Sequence, residues 1–314
     1  MDEEYREILA RQQYRTYRDH GAVKLCHWMK ESMVHGRVCY KQEFYGIKSH
    51  RCLQMTTAFN ECSLACLFCW RVQGRDFEVT DWAEPKDLLD NLIEMQRSLI
   101  TGFKGDPRCD LERYEEARNP TQVAISLAGE PIAYPYMSDF LRECHSRGMM
   151  TFLVTNGTYP DRIADLDVLP RQLYVTVAAP DETTYKRLCR PKDPGAWSRL
   201  NETLAMMPSL DTRTVIRHTL VKGMNLSDVP GYAALDRIAD PDMVEPKGYV
   251  FVGGSRKRLT MDAMPSFAEI KDFSHQLSQM LGMQLLNERE DSRVALIGKP
   301  GLELDVGKHY GIEM

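Results

Sequence analysis

Eight residues, Cys62-Ser63-Leu64-Ala65-Cys66-Leu67-Phe68-Cys69, carry three cysteines with spacers of three and two. Thiolates this close can wrap one metal centre from a single loop, yet they supply one ligand fewer than a structural zinc site takes. A cube of four irons held in this way keeps one iron free of protein ligands. A second trio, Cys26, Cys39 and Cys52, recurs at intervals of 13 residues. That spacing is too wide for a zinc knuckle, but the three could gather from separate elements around a second iron-sulfur cluster, whose open iron would seat a small chelating substrate. The plainer reading is three unconnected buried thiols. Cys109, Cys144 and Cys189 stand alone and read as inert. Nine cysteines in 314 residues, six of them within one stretch of 44, fit metal binding better than the disulfide framework of a small secreted chain.

Positioning such loops requires a scaffold, and the pattern after residue 50 supplies one. Apolar runs at Arg51 to Ala58, 122–127, 150–155, 172–177, 214–221 and 243–252 read as strands. Amphipathic stretches at 85–100, 134–147, 197–207, 229–239 and 266–281 read as the helices between them. Six strand-helix units without a composition shift predict a parallel α/β sheet curled into a partial (βα)6 TIM-like barrel, with chemistry at the strand ends. Residues 1–50 are expected to form a helical extension (Glu3 to Arg18, then Val23 to Met33) bearing part of the second cluster site. Residues 51–314 then form the barrel and a C-terminal extension. The acidic start, Met1 to Tyr5, lacks the character of a secretory signal, and no run approaches a membrane span. A cytoplasmic location is the expectation.

Overall charge is −5, but residues 1–75 hold twelve Lys or Arg against eight Asp or Glu. A basic face on an acidic protein is compatible with nucleic acid, because phosphate contacts depend on local charge.

An aromatic residue directly before the third cysteine, Phe68, completes a C-x3-C-x-aromatic-C pattern that resembles the radical S-adenosylmethionine (SAM) enzymes. The resemblance implies that the open iron chelates the methionine part of SAM. It also implies cofactor contacts from successive strand ends: Ser126, Gly129 and Glu130 in Ser126-Leu127-Ala128-Gly129-Glu130-Pro131, then Asn156, then Thr176. A closer resemblance rests on Leu25-Cys26, Cys39-Tyr40-Lys41, Phe44-Tyr45-Gly46-Ile47, His50-Arg51-Cys52, Phe68-Cys69-Trp70-Arg71, Val244-Glu245-Pro246-Lys247-Gly248 and Asp291-Ser292-Arg293-Val294-Ala295-Leu296. From about Cys26 to the C-terminus the chain resembles the tRNA 4-demethylwyosine synthases in their archaeal single-domain form. One departure is Thr176-Val177-Ala178-Ala179, where the family usually has Ser-Leu-Asp-Ala; Asp181 is the candidate to replace the missing acid.

The family resemblance implies two [4Fe-4S] clusters, one on Cys62, Cys66 and Cys69 and one on Cys26, Cys39 and Cys52. It implies a radical reaction that joins two carbons of pyruvate to N1-methylguanosine at position 37 of tRNA(Phe). The length leaves no room for a fused flavodoxin-like domain, so electrons would come from a separate flavodoxin or ferredoxin-like donor to a monomer. Pyruvate could be chelated by the second cluster or bound as a Schiff base. Lys41, two residues after Cys39, is the preferred lysine, and Lys247 is the competitor. Glu245 and Lys247 alternate on one strand and so share a face, where a buried ion pair is the plainer reading. For the tRNA anticodon loop, whose base must leave its stack, the candidates are Trp70, Arg71 and Arg75 beside the cysteine loop and Arg256, Lys257 and Arg258 after the sixth strand. Two alternatives remain: another radical SAM enzyme, such as a glycyl-radical activase, and a non-enzymatic metal-bearing tRNA-binding protein.

Overall fold

Alternation along the strands sets the architecture. In the computed structural model, which describes all 314 residues, the chain opens with α1 (Glu3–Arg11), a hairpin of β1 (Tyr14–Tyr17) and β2 (Gly21–Lys24), α2 (His27–His35) and α3 (Tyr40–Tyr45). Six strands then run parallel: β3 (Cys52–Thr56), β4 (Gln122–Ile125), β5 (Met150–Thr155), β6 (Gln172–Thr176), β7 (Arg213–Leu220) and β8 (Met243–Gly248). One set of alternating residues, including Leu53, Val123, Leu153, Leu173, Ile216 and Val244, turns outward into the main apolar core. The residues between them face the barrel interior, and many are polar or aromatic.

The outer layer contains α4 (Pro85–Ile100), α5 (Leu111–Ala117), α6 (Met137–Ser146), α7 (Pro160–Ala164), α8 (Glu182–Cys189), α9 (Ala196–Met206), α10 (Val229–Ala239) and α11 (Phe267–Leu281). Helix α11 starts with a capping box, in which Ser266 accepts the Glu269 N–H and the Glu269 carboxylate accepts the Ser266 N–H. Strands β3 and β8 do not pair, so the barrel is open. The β1–β2 hairpin extends the sheet antiparallel at β3, and the hairpin of β9 (Gln284–Arg289) and β10 (Val294–Gly298) extends it beyond β8. The terminal helix α12 (Val306–Tyr310) buries Val306 against the interior aromatic group, and Arg213 donates to the Glu303 carbonyl at 3.0 Å.

The expected helix from Glu3 to Arg18 stops at Arg11. Gln13 and Arg18 take left-handed backbone angles (φ 65° and 47°), and Tyr14 to Tyr17 pairs with 21–24 instead. Val23 also belongs to this hairpin, so the next helix begins only at His27. The last predicted strand ends at Gly248, and residues 249–252 leave the sheet. Cys26 and Cys39 occupy the N-cap positions of α2 and α3, and Cys52 opens β3. No helix is long and apolar enough to cross a membrane.

Candidate active site

The cysteine loop leaves β3 and is held from both sides. Ser63 to Leu67 form a short rung against the end of α8: Leu67 N–H donates to the Leu188 carbonyl at 2.9 Å, Ala65 N–H to the Cys189 carbonyl at 3.1 Å, and Lys192 N–H to the Ser63 carbonyl at 2.9 Å. From the opposite side Arg258 donates to the carbonyls of Leu67 (3.2 Å) and Cys69. Gly254 N–H donates to the Trp70 carbonyl at 2.7 Å, and a Cβ on Gly254 would lie 2.5 Å from the Arg71 carbonyl oxygen. The close approach there requires glycine. Cys66, beside the buried Cys189 thiol, and Cys62 and Cys69, chiefly through burial, all hold their protons more tightly than an ordinary thiol. A metal must displace those protons to bind.

Beside this loop lie the ends of β4 and β5. Gly129 has φ +72°, and a Cβ on it would lie 1.8 Å from the Ala58 carbonyl oxygen, so no other residue fits without moving backbone. That packing turns the next residue, Glu130, inward, where it is 1% exposed. Its Oε2 accepts the Asn156 N–H at 2.9 Å, whereas its Oε1 is buried without a partner. Burial raises the carboxyl to about 7, against the opposing hydrogen bonds from the Asn156 backbone and the Thr155 hydroxyl. The Asn156 amide donates to Ser63 Oγ at 2.9 Å and accepts the Thr158 N–H at 2.9 Å, so it braces the cysteine loop against β5. Ser126 and Thr176 stand half-buried at the ends of β4 and β6, on either side of β5.

Deeper in the barrel, charged and phenolic groups converge. Glu245, fully buried on β8, accepts hydrogen bonds from Tyr45 (2.5 Å) and Tyr174 (2.9 Å) on one oxygen and from Arg217 (2.5 Å) and Tyr40 (3.4 Å) on the other. Burial alone would raise its carboxyl, but Arg217, Lys41 and these bonds hold it below the ordinary value. The expected Glu245–Lys247 pair does not form, because Arg217 takes the carboxylate and Lys247 donates to the Ser292 carbonyl at 3.1 Å. Lys41 is 8% exposed, with its amine 3.9 Å from the Phe152 ring centroid and 4.4 Å from that of Tyr174. It forms neither a hydrogen bond nor an ion pair. Burial, then the Arg217 charge, lowers its ammonium to about 8, and Lys247 is lowered to about 8 for the same reasons. Cys39 and Cys52 lie within electrostatic reach of Lys41, and Cys26, Cys39 and Cys52 each raise or are raised by another of the trio.

Three of the expected tRNA contacts are engaged elsewhere. Arg71 is 4% exposed and paired with Asp76 at 2.9 Å behind the cysteine loop. Arg75 is tied to Asp2 (3.3 Å) and Glu4 (2.8 Å) at the start of α1. Arg258 is the strut already described. Arg256 and Lys257 are exposed, without an acidic partner, and Trp70 is exposed at the rim with its indole N–H on the Leu127 carbonyl at 2.7 Å. Arg217, Tyr40, Tyr45 and Tyr174 escaped the sequence reading. The available signal was charge with period two inside a strand, Arg213 and Arg217 on β7 beside Glu245 and Lys247 on β8.

Known proteins resemble this chain in sequence and fold. A family model described as "Radical SAM superfamily" matches residues 57–235, and one described as "Wyosine base formation" matches 238–299. The S-adenosyl-L-methionine-dependent tRNA 4-demethylwyosine synthase of Pyrococcus horikoshii is 47% identical over 305 residues, covering 95% of this chain and 89% of that protein. The chain belongs to the tRNA 4-demethylwyosine synthase family. The Homo sapiens synthase is 38% identical over 299 residues, 93% of this chain and 40% of that one. A structure of TYW1 with a lysine-pyruvate adduct bound superposes with a TM-score of 0.89 at 35% identity, covering 97% of this chain and 98% of that one. The protein is thus a radical SAM enzyme that modifies tRNA and uses SAM and a [4Fe-4S] cluster.

The residues present fit that cofactor pair. The cysteine loop brings three free thiols, one fewer than a structural zinc site takes and the number that leaves one iron of a [4Fe-4S] cluster open. The partnerless Glu130 Oε1, beside the Gly129 turn, is an acceptor awaiting a donor such as the SAM ammonium.

Proposed function

We propose that this enzyme builds 4-demethylwyosine by joining two carbons of pyruvate to the N1-methyl group of N1-methylguanosine-37 in tRNA(Phe), the bond to the pyruvate carboxyl carbon breaking and that carbon leaving, with Lys41 holding pyruvate as a Schiff base. The observation that carries this reading is the Lys41 amine, buried between two aromatic rings with no hydrogen-bonding or ionic partner. A TYW1 structure with a lysine-pyruvate adduct, at 35% identity, supports the same chemistry. An amine lowered to about 8 has a sizeable neutral fraction near neutrality and can add to the keto carbon of pyruvate. Water leaves as the C=N bond forms. Lys247 is the weaker candidate because its amine already donates to the Ser292 carbonyl.

Cys62, Cys66 and Cys69 would hold the [4Fe-4S] cluster, with SAM seated by Glu130, the backbone at Gly129 and the hydroxyls of Ser126 and Thr176. Asn156 acts behind them as a brace. When bound, this pair supplies the 5′-deoxyadenosyl radical that removes hydrogen from the N1-methyl group. Cys26, Cys39 and Cys52 would carry a second [4Fe-4S] cluster beside Lys41. Strand β3, about 13 Å long at roughly 3.3 Å per residue, runs from Cys52 toward the cysteine loop. That interval leaves room for a flipped base between SAM and pyruvate. Arg256 and Lys257 would meet tRNA phosphates at the rim, with Trp70 available to stack on a base. Electrons come from a separate flavodoxin or ferredoxin-like donor, and the enzyme works in the cytoplasm as a monomer.

Borohydride trapping with labelled pyruvate, followed by peptide mapping, tests the central claim. Label should appear on Lys41, vanish in Lys41→Ala and persist in Lys247→Ala; label retained in Lys41→Ala would refute it. Anaerobic reconstitution to about eight irons per chain, with product detected by nucleoside mass spectrometry of m1G-containing tRNA, tests the rest.

A further inference from the structure

Arg217 projects from the middle of β7 into the barrel, 16% exposed, beside the same tyrosine ring that flanks Lys41. Its guanidinium carbon lies 4.5 Å from the Tyr174 centroid, and the Lys41 amine lies 4.4 Å from it. Of its five N–H donors only those on Nη2 are used, one to Tyr40 Oη at 2.8 Å and one to Glu245 at 2.5 Å. Nε is buried without a partner, and Nη1 makes no protein hydrogen bond. An unfilled donor on a buried cation is costly, so its retention beside a substrate-binding lysine calls for an explanation.

Charge points the same way. Lys41, Arg217 and Lys247 share this interior with one carboxylate, Glu245. Cations outnumber carboxylates here, so the site favours anions, and the net negative charge of a loaded cluster on Cys26, Cys39 and Cys52 would offset only part of that excess. Glu245 and its three tyrosines fix the Nη2 end of Arg217 while the rest of the fork stays free. Nη1, with both hydrogens free on a guanidinium fixed at its other end, can give a carboxylate a charge-assisted hydrogen bond, whereas the Lys247 amine is turned to the Ser292 carbonyl.

We propose that Arg217 is the residue that recognises the carboxylate of the 2-oxo acid bound to Lys41, with Glu245, Tyr40, Tyr45 and Tyr174 as positioning residues that hold its guanidinium in place. The proposal rests on the reading of Lys41 as the pyruvate lysine. It makes the enzyme selective for 2-oxo acids over neutral ketones of the same shape, and it separates two tasks: Lys41 reads the carbonyl and Arg217 reads the charge beside it.

The test uses reconstituted holoenzyme, borohydride and two labelled probes, pyruvate and acetone, which replaces the carboxylate by a methyl group. In Arg217→Gln the pyruvate concentration that half-saturates Lys41 labelling should rise about ten- to a hundredfold, the range for a charge-assisted hydrogen bond, while acetone labelling stays within twofold. Arg217→Lys should recover part of the preference. Because Arg217→Gln leaves Glu245 buried without its cation, the double variant Arg217→Gln/Glu245→Gln is measured in parallel and should show the same selective loss. An unchanged pyruvate response in Arg217→Gln would overturn the proposal and leave the carboxylate to another ligand. Equal loss of both probes in every variant would overturn it too, by reducing Arg217 to a structural role. Absence of pyruvate label on Lys41 in the unaltered enzyme would instead refute the Schiff-base reading on which the proposal stands.

Discussion

Replacing Glu130 with glutamine should weaken SAM binding without costing stability, an unusual combination for a buried group. Glu130 is 1% exposed, and burial raises its carboxyl from 4.5 to about 7. The folded-state value exceeds the unfolded one, so the folded chain binds the proton more tightly between those limits. Stability therefore falls as pH rises from 4.5 through about 7. Above that window the ionised carboxylate costs about 3 kcal/mol, at roughly 1.4 kcal/mol per unit. Glutamine removes that cost and can still accept the Asn156 N–H, but its NH2 would sit where Oε1 is now partnerless, at a cost of about 1–3 kcal/mol. The balance at pH 8 is neutral to slightly stabilising, a change of melting temperature between zero and about +4 °C at roughly 2 °C per kcal/mol. SAM loses a charge-assisted hydrogen bond worth about 1.5–3 kcal/mol, which is about a ten- to hundredfold rise in Kd. Equilibrium dialysis of cluster-loaded enzyme with labelled SAM, run beside thermal unfolding, measures both effects. Below pH 7 the affinity of the unaltered enzyme should fall with pH as Glu130 takes up a proton, while that of the variant stays flat. A Kd within twofold, or a melting temperature lowered by 8 °C or more, would show that Glu130 is a structural carboxylate and not the SAM acceptor.

Arg258→Ala should speed iron loss to a chelator several-fold and leave tRNA affinity within twofold, because its guanidinium holds the carbonyls of Leu67 and Cys69; weakened tRNA binding with unchanged iron retention would return it to the phosphate-binding set. Arg256→Glu/Lys257→Glu should flatten the salt dependence of tRNA binding by roughly 1.5 in the log-log slope, near 0.7–0.9 per phosphate, whereas Arg75→Ala should not change it, since Arg75 is occupied by Asp2 and Glu4. A filter-binding titration across salt concentrations decides between them. His145 is lowered from 6.5 to about 4, by burial and then by Arg171. The unfolded chain therefore takes up its proton first, and the stability due to neutral His145 is complete above 6.5 and lost as pH falls toward 4. Unfolding midpoints of the unaltered enzyme should drop more steeply over that window than those of His145→Gln, and parallel curves would exclude the effect.

The parts of this enzyme that were legible in its sequence depend on local rules. The parallel strands and the longer helices after residue 84 follow from periodicity, and 85–100 and 229–239 match the observed helices end to end, whereas the short helices α5, α7, α8 and α12 and the β9–β10 hairpin were not read from the sequence. The cysteine loop and the Gly129–Glu130 turn are equally local, since spacing and a required positive φ act over a few residues. The first fifty residues were harder. Tyr14 to Tyr17 is short and half-polar, and it becomes a strand because 21–24 and then β3 offer hydrogen-bonding edges that no helical window contains. Arginines failed for a related reason. The residue type announces an affinity for anions, but the anion is a tertiary fact: Asp76 for Arg71, Asp2 and Glu4 for Arg75, backbone carbonyls for Arg258 and Glu245 for Arg217. Of the basic residues assigned to tRNA from sequence, only Arg256 and Lys257 remain unpaired and exposed. Arg217, with no motif to advertise it, keeps free donors where a substrate carboxylate is needed. An unfilled hydrogen-bonding group is informative only beside other chemistry: Gln172 Oε1 and Arg213 Nε are also buried without partners, whereas Glu130 adjoins the strand end that braces the cysteine loop and Arg217 shares a tyrosine ring with Lys41. On that basis the proposed SAM acceptor, Glu130 Oε1, and the proposed carboxylate reader, Arg217, would stand at opposite ends of the reaction chamber.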